Sequence, residues 1–269
     1  MTANPLPWLV FFFCILCTIQ LYQASPEERS GIWMSLGAGL STTLGALLVI
    51  VVKNPGPPHV VFTSSMAAAV MLIVSIFELL IPSVHSVGVL PTALCFSLGW
   101  ILSRLGSHIN FARWIPLSSN KLTRLGVLTA FSLTAHNLPE GMAVILSSIK
   151  SSKNGAIIAV AIALHNIPEG LAIAAPLFAG TQNAYLAFLW TFCSGLSEPL
   201  GALIALFFLK GISLTQLNWL LSAVAGVMCA VSLLELLPAS VQYVEQKKFL
   251  YLGAAVGTSI VLLEMILMS

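Results

Sequence analysis

The sequence predicts an all-α polytopic membrane protein: an eight-helix bundle with 3+2+3 inverted repeats, plus an extra N-terminal hydrophobic helix. Three observations predict it. The chain is 58% hydrophobic and only 7% charged, against about 25% charged in soluble domains, so a water-soluble globule lacks the polar side chains to cover itself. Its apolar residues gather in runs close to the ~20 that a spanning helix needs. Segments of those runs also repeat one another at fixed offsets. The alternating ten-residue pattern of a membrane barrel is not visible.

The first run, 6–22, reads as an extra spanning helix. A cleaved signal peptide is the alternative, although no Lys or Arg precedes the run and no A-x-A site follows it. Eight further runs define α1 (31–52), α2 (60–81), α3 (86–103), α4 (125–149), α5 (155–177), α6 (184–209), α7 (217–240) and α8 (249–268). Residues 1–30 thus form an N-terminal hydrophobic segment, and 31–269 a single transmembrane domain. Turn signals such as Lys53-Asn-Pro-Gly-Pro-Pro58 and Ser151-Ser-Lys-Asn-Gly155 separate the runs, and such short linkers call for helical hairpins. Basic loop residues set the orientation. Arg104, Arg113, Lys121 and Arg124 precede or open α4, and parity adds Lys53, Lys247 and Lys248, seven against the four of Arg29, Lys150, Lys153 and Lys210. The α3–α4 loop is therefore placed in the cytosol and the C-terminus outside. The net charge of +2 forms no basic stripe, which argues against a nucleic-acid partner. All five Cys lie inside apolar runs without zinc-knuckle spacing, which argues against a disulfide scaffold or a structural zinc site.

The repeats fix the architecture. Gly39-Leu-Ser-Thr-Thr-Leu-Gly-Ala-Leu-Leu48 on α1 matches Gly195-Leu-Ser-Glu-Pro-Leu-Gly-Ala-Leu-Ile204 on α6 at seven of ten positions, offset by 156. Val74-Ser-Ile-Phe-Glu-Leu-Leu80 on α2 matches Val231-Ser-Leu-Leu-Glu-Leu-Leu237 on α7 at an offset of 157. His136-Asn-Leu-Pro-Glu-Gly141 on α4 matches His165-Asn-Ile-Pro-Glu-Gly170 on α5. The matched helices are an odd number of crossings apart, so they run oppositely through the bilayer. One in-plane pseudo-two-fold axis satisfies every pair: α1 with α6, α2 with α7, α3 with α8, α4 with α5. Inverted repeats of this kind belong to secondary transporters, whose sites lie near the midplane at the repeat interface.

All nine acids are Glu. Glu78, Glu140, Glu169, Glu198, Glu235 and Glu264 fall within the runs, where an ionisable group costs about 2.5–3.5 kcal/mol on insertion scales. Glu264 lies near a helix end and reads as snorkelling to the interface; the other five need partners. His136 and Glu140 are i, i+4, as are His165 and Glu169, so each pair shares a helix face. Asn137 and Asn166 add neutral oxygens. Pro139 and Pro168 cannot donate to the carbonyls of Ala135 and Leu164, which kinks each helix and frees a main-chain oxygen. Antiparallel neighbours bring the two faces together, with Glu198 on α6 as a fifth member. Imidazole with carboxylate suits Zn, Fe and Mn ions. The bland alternative is a protonated, hydrogen-bonded polar core that binds nothing.

The paired HNLPEG and HNIPEG segments resemble the signature of the ZIP (Zrt-, Irt-like protein) divalent-metal transporters, in their GufA-like branch, over about residues 31–268. The resemblance implies a binuclear metal centre. Its matching positions are His136, Asn137 and Glu140 on α4, His165, Asn166 and Glu169 on α5, Glu198 on α6, and Met71 on α2. Glu78 and Glu235, related by the repeat, are read as gates or relay sites at the two mouths. Two departures stand out: the α3–α4 loop carries only His108, and His165 and Asn166 occupy places where other members carry Gln, Asp or other ligands.

The expected activity is secondary transport of a divalent cation toward the cytosol. Zn²⁺ leads as substrate, with Fe²⁺, Mn²⁺ or Cd²⁺ as alternatives, and no prosthetic group is expected. No Walker motif indicates ATP drive. The other class weighed is a membrane-embedded metal-dependent hydrolase or oxidase. Against it, HExxH and Glu-x-x-His pairs are missing, and no Asp is present for an aspartyl protease. The expected setting is a lipid bilayer, of the plasma membrane or an organelle. Gly253 and Gly257 offer a GxxxG face for a homodimer.

Overall fold

A computed structural model describes residues 22, 24–53, 55–108, 121–208, 213–242 and 244–268. The 6–22 run, apart from Tyr22, and the loop cations Arg113 and Lys210 lie outside the described residues. All eight runs form helices. α1 spans Pro26–Val51, five residues earlier at its start than its apolar run. The reason is a capping box: Ser25 Oγ accepts from the Glu28 N–H at 3.2 Å, and Glu28 Oε2 accepts from the Ser25 N–H at 2.8 Å, with Pro26 at the first helical position. α2 runs Pro57–Val87 and stops at Gly88, whose φ of +88° suits glycine alone. α3 (Val89–His108) follows at once. α4 (Lys121–Lys150) and α5 (Ser152–Thr181) form a hairpin with Ser151 between them. α6 consists of Ala184–Gly195 and Ser197–Phe208, interrupted at Leu196, because Pro199 has no N–H for the Gly195 carbonyl. α7 starts at Leu214 and ends at Val241, and α8 is Lys247–Met268.

Seven of the eight helices are long and apolar enough to cross a membrane. α4, the least apolar, is held among α1, α5, α6 and α7. α3 leaves Leu90, Leu94, Leu98, Ile101, Leu102 and Leu105 exposed, an apolar face that lipid covers and water would not tolerate. The chain is an integral, multi-pass membrane protein.

The helix packing obeys the pseudo-two-fold in detail. α1 packs on α5 as α6 packs on α4, α2 on α8 as α7 on α3, and α2 on α5 as α7 on α4. On the axis, Gly39 of α1 and Gly195 of α6 each meet the other's carbonyl. Gly45 abuts the Ile167 carbonyl and its mate Gly201 the Leu138 carbonyl; Gly170 abuts the Thr42 carbonyl and its mate Gly141 the Glu198 carbonyl. Small residues let backbones approach this closely. Gly253 and Gly257 do the same inside the chain, packing on the Phe62 and Met66 carbonyls of α2. Their GxxxG face is thus occupied within one copy rather than offered to a second.

Each repeat also carries a π-helical turn, Ser75–Leu80 in α2 and Ser232–Leu236 in α7. Pro82 and Pro238 lie just beyond the acids of these turns and cannot donate to the carbonyls of Glu78 and Leu234, so the ladder slips by one residue there. The apolar core lies where α2, α4, α5 and α7 meet, around Met71, Leu133, Ile173, Leu177, Met228 and Leu236.

The symmetry breaks in one place. α8 packs against α5, whereas among the described residues its counterpart α3 makes no comparable contact with α4. A cavity of about 320 Å³ opens there instead, with Arg104, Gly106, Ser132, Ala135 and Glu235 in its lining.

Candidate metal centre

α4 and α5 run unbroken through Pro139 and Pro168, and the i, i+4 spacing sets histidine and glutamate one turn apart on these two packed helices. His136, Glu140 and His165 meet with their ligand atoms all within 4.8 Å of one another. One carboxylate oxygen, Glu140 Oε1, lies 2.9 Å from His136 Nε2 and 2.8 Å from His165 Nε2. Glu169 Oε1 stands off at 3.6 Å from His136 Nε2. The repeat-related acids are therefore unequal: Glu140 lies between both imidazoles, and Glu169 borders one.

The asparagines are held by matched hydrogen bonds. Asn137 Nδ2 donates to the Ser194 carbonyl at 3.5 Å, and Asn166 Nδ2 to the Ala38 carbonyl at 3.1 Å. Ser197 and Ser41 hydroxyls donate to the same two carbonyls. These anchors fix each amide so that Oδ1 is left over. Asn166 Nδ2 also donates to Glu198 Oε1, which ties the α6 carboxylate to the α5 motif.

What remains is a set of buried polar atoms without hydrogen-bond partners: both oxygens of Glu169, Glu140 Oε2, Glu198 Oε2, Asn137 Oδ1, Asn166 Oδ1 and both ring nitrogens of His136. Glu140 is 8% exposed, and the other five residues are 1% or less. Among the described residues, the only basic side chains paired with these carboxylates are the two histidines. Buried charges without partners cost several kcal/mol each, and orphaned acceptors are rare in folded proteins. Every orphan here except the two His136 nitrogens is an oxygen acceptor, so a cation is the group that would satisfy them. Two ligands 2.0–2.1 Å from a tetrahedral ion lie about 3.3 Å apart. The Glu140–His pairs need to spread by only a few tenths of an ångström to admit one.

Met71 is 1% exposed and packs in the same apolar core as its repeat mate Met228. Glu78 has Oε1 buried without a partner, within electrostatic reach of Glu264 and His165. Glu235 lines the α3–α4–α7 cavity. Glu264 does not snorkel: it is 1% exposed, with both oxygens 3.2 Å from His165 Nδ1. Its position near the end of α8 gave no hint, because α8 tucks that end against α5.

The comparison with known proteins decides the lineage. The family model described as ZIP zinc transporter matches residues 116–265. The zinc transporter ZupT of Stenotrophomonas maltophilia strain R551-3 is 36% identical over 245 residues, 84% of this chain and 91% of that protein. The ZupT of Chlorobium limicola is 38% identical over 234 residues, 79% of this chain and 88% of that protein. The chain belongs to the ZIP family. A plant relative, the zinc transporter ZTP29 of Arabidopsis thaliana, is 35% identical over 258 residues, 86% of this chain and 94% of that protein. As a ZIP protein it is a metal-ion transporter rather than an enzyme, and the buried His/Glu cluster lies inside the matched segment.

Proposed function

We propose that the protein is a secondary transporter that carries Zn²⁺ toward the cytosol through a binuclear site on α4, α5 and α6. The observation that carries this reading is the buried group of His136, Glu140 and His165, with Glu169 3.6 Å from His136 and with buried oxygens of Glu140, Glu169, Glu198, Asn137 and Asn166 left unpartnered. One ion is held by His136, His165 and Glu140. The second is held on the far side of Glu140 by Asn137, Asn166, Glu169 and Glu198. Relatives named zinc transporters support zinc as the first substrate; Fe²⁺, Mn²⁺ and Cd²⁺ share the ligand preference. Residues 31–269 act as one transport domain.

The ligands must be unprotonated to bind metal, and the ion must leave on the opposite side from its entry. The contact of α8 with α5 and the cavity between α3 and α4 support a closed outer face and an open inner one, since Arg104 and Glu235 border that cavity. Alternating access then moves one four-helix group (α1, α4, α5, α6) against the other (α2, α3, α7, α8). Glu235 lies on the exit side and Glu78 on the entry side. Ser132→Cys in a cysteine-free background is expected to react with a membrane-impermeant thiol reagent added from the cytosolic side and not from outside. Labelling from outside alone would reverse the assigned direction.

The deciding experiment is ⁶⁵Zn uptake into proteoliposomes by the wild type, His136→Ala and Glu169→Ala. Uptake by the wild type and its loss in both variants are expected. A purified protein that binds zinc and moves none would overturn transport; one that binds no metal would leave a polar core in place of the metal centre.

A further inference from the structure

We infer that Glu264 is a positioning residue, which fixes the His165 imidazole so that Nε2 faces the metal centre. The inference rests on the proposed metal site and deepens it. A carboxylate only accepts hydrogen bonds, and both Glu264 oxygens lie 3.2 Å from His165 Nδ1. Nδ1 therefore donates to Glu264, and Nε2, which faces Glu140 Oε1 at 2.8 Å, is the ring nitrogen left to give its lone pair to an ion once the metal replaces its proton. Ligating histidines commonly give their other ring N–H to such a carboxylate, which sets ring orientation and raises ligand basicity. A carboxylate at 1% exposure in a membrane helix is expensive enough to call for a function.

The repeat supplies an internal control. Gly257 of α8 meets the Met66 carbonyl as Gly99 of α3 meets the Ala223 carbonyl, and Met66 and Ala223 are repeat mates at the α2–α7 offset. The α3 position matching Glu264 is therefore Gly106, which has no side chain to offer and lines the open cavity. His136 Nδ1 correspondingly has no hydrogen-bond partner. One imidazole of the pair is held from behind and the other is not. His165 becomes the fixed ligand and His136 the adjustable one, although their motifs are nearly identical in sequence.

The test uses the full chain purified in detergent, with Zn²⁺ affinity and the His165 tautomer read by ¹⁵N-histidine NMR. Glu264→Gln keeps the reach and an acceptor oxygen but loses the charge; Glu264→Asp keeps the charge but falls a methylene short. Positioning predicts that Glu264→Gln retains most of the affinity and the Nδ1–H tautomer. It predicts that Glu264→Asp and Glu264→Ala lose about 10–100-fold in affinity and give mixed tautomers. An Asp variant that binds like the wild type while Gln is impaired would overturn the inference and make charge the contribution. Unchanged affinity in all three variants would overturn it as well. A wild type that binds no zinc would overturn the metal-site reading itself, a result distinguishable from the others.

Discussion

Glu140→Ala is expected to abolish zinc uptake and to weaken zinc binding by more than the roughly 10–100-fold that removal of an outer-shell partner costs. The reason is position rather than charge alone. Among the described residues, Glu140 Oε1 is the one oxygen within 3 Å of both imidazoles, at 2.9 Å from His136 and 2.8 Å from His165. In the proposed binuclear site, its loss takes a ligand from the His-bound ion and the bridge to the second. Glu169→Ala removes an acid that stands 3.6 Å from a single histidine, so it should empty the second position and leave the first weakened but occupied. Equilibrium dialysis of the purified variants measures both effects: two zinc ions per chain in the wild type, about one in Glu169→Ala, and none at low micromolar zinc in Glu140→Ala. Equal losses in the two variants would mean that the site is as symmetric as its sequence, contrary to the geometry.

That contrast shows what the sequence carries and what it does not. The eight helices and their pairing were legible because seven identities in ten between α1 and α6 and the duplicated HNxPEG segments are local patterns at fixed offsets. The buried cluster of His136, Glu140 and His165 was legible for the same reason, since i, i+4 spacing on antiparallel neighbours leaves few arrangements. The partnership of His165 with Glu264 was not, because the two are separated by 99 residues and no motif surrounds Glu264. Gly253 and Gly257 announced a close helix approach, yet small residues do not say whose helix approaches; α2 of the same chain takes the place. The π turns before Pro82 and Pro238 had a visible cause in the missing N–H, but whether a ladder breaks, kinks or slips depends on the packing around it.

Gly141→Ala and Gly170→Ala should separate stability from metal binding, although the two glycines are repeat mates and meet the same steric fate. A Cβ at Gly141 collides with the Glu198 carbonyl, and a Cβ at Gly170 with the Thr42 carbonyl. Backbone cannot rotate aside, so each variant must push a helix away, at a cost of roughly 1–3 kcal/mol for an overpacked core. Both are expected to unfold at lower temperature than the wild type in the same detergent. Only one should lose metal. Displacing Glu198 moves a carboxylate that belongs to the proposed second position, whereas Thr42 brings no charged ligand to its end of the axis. Gly141→Ala is therefore expected to bind about one zinc ion and Gly170→Ala two, with uptake lost in the first and reduced in the second. If Gly170→Ala also drops to one ion, the α1–α5 seam shapes the site as directly as the α4–α6 seam, and the functional asymmetry assigned to Glu198 does not hold.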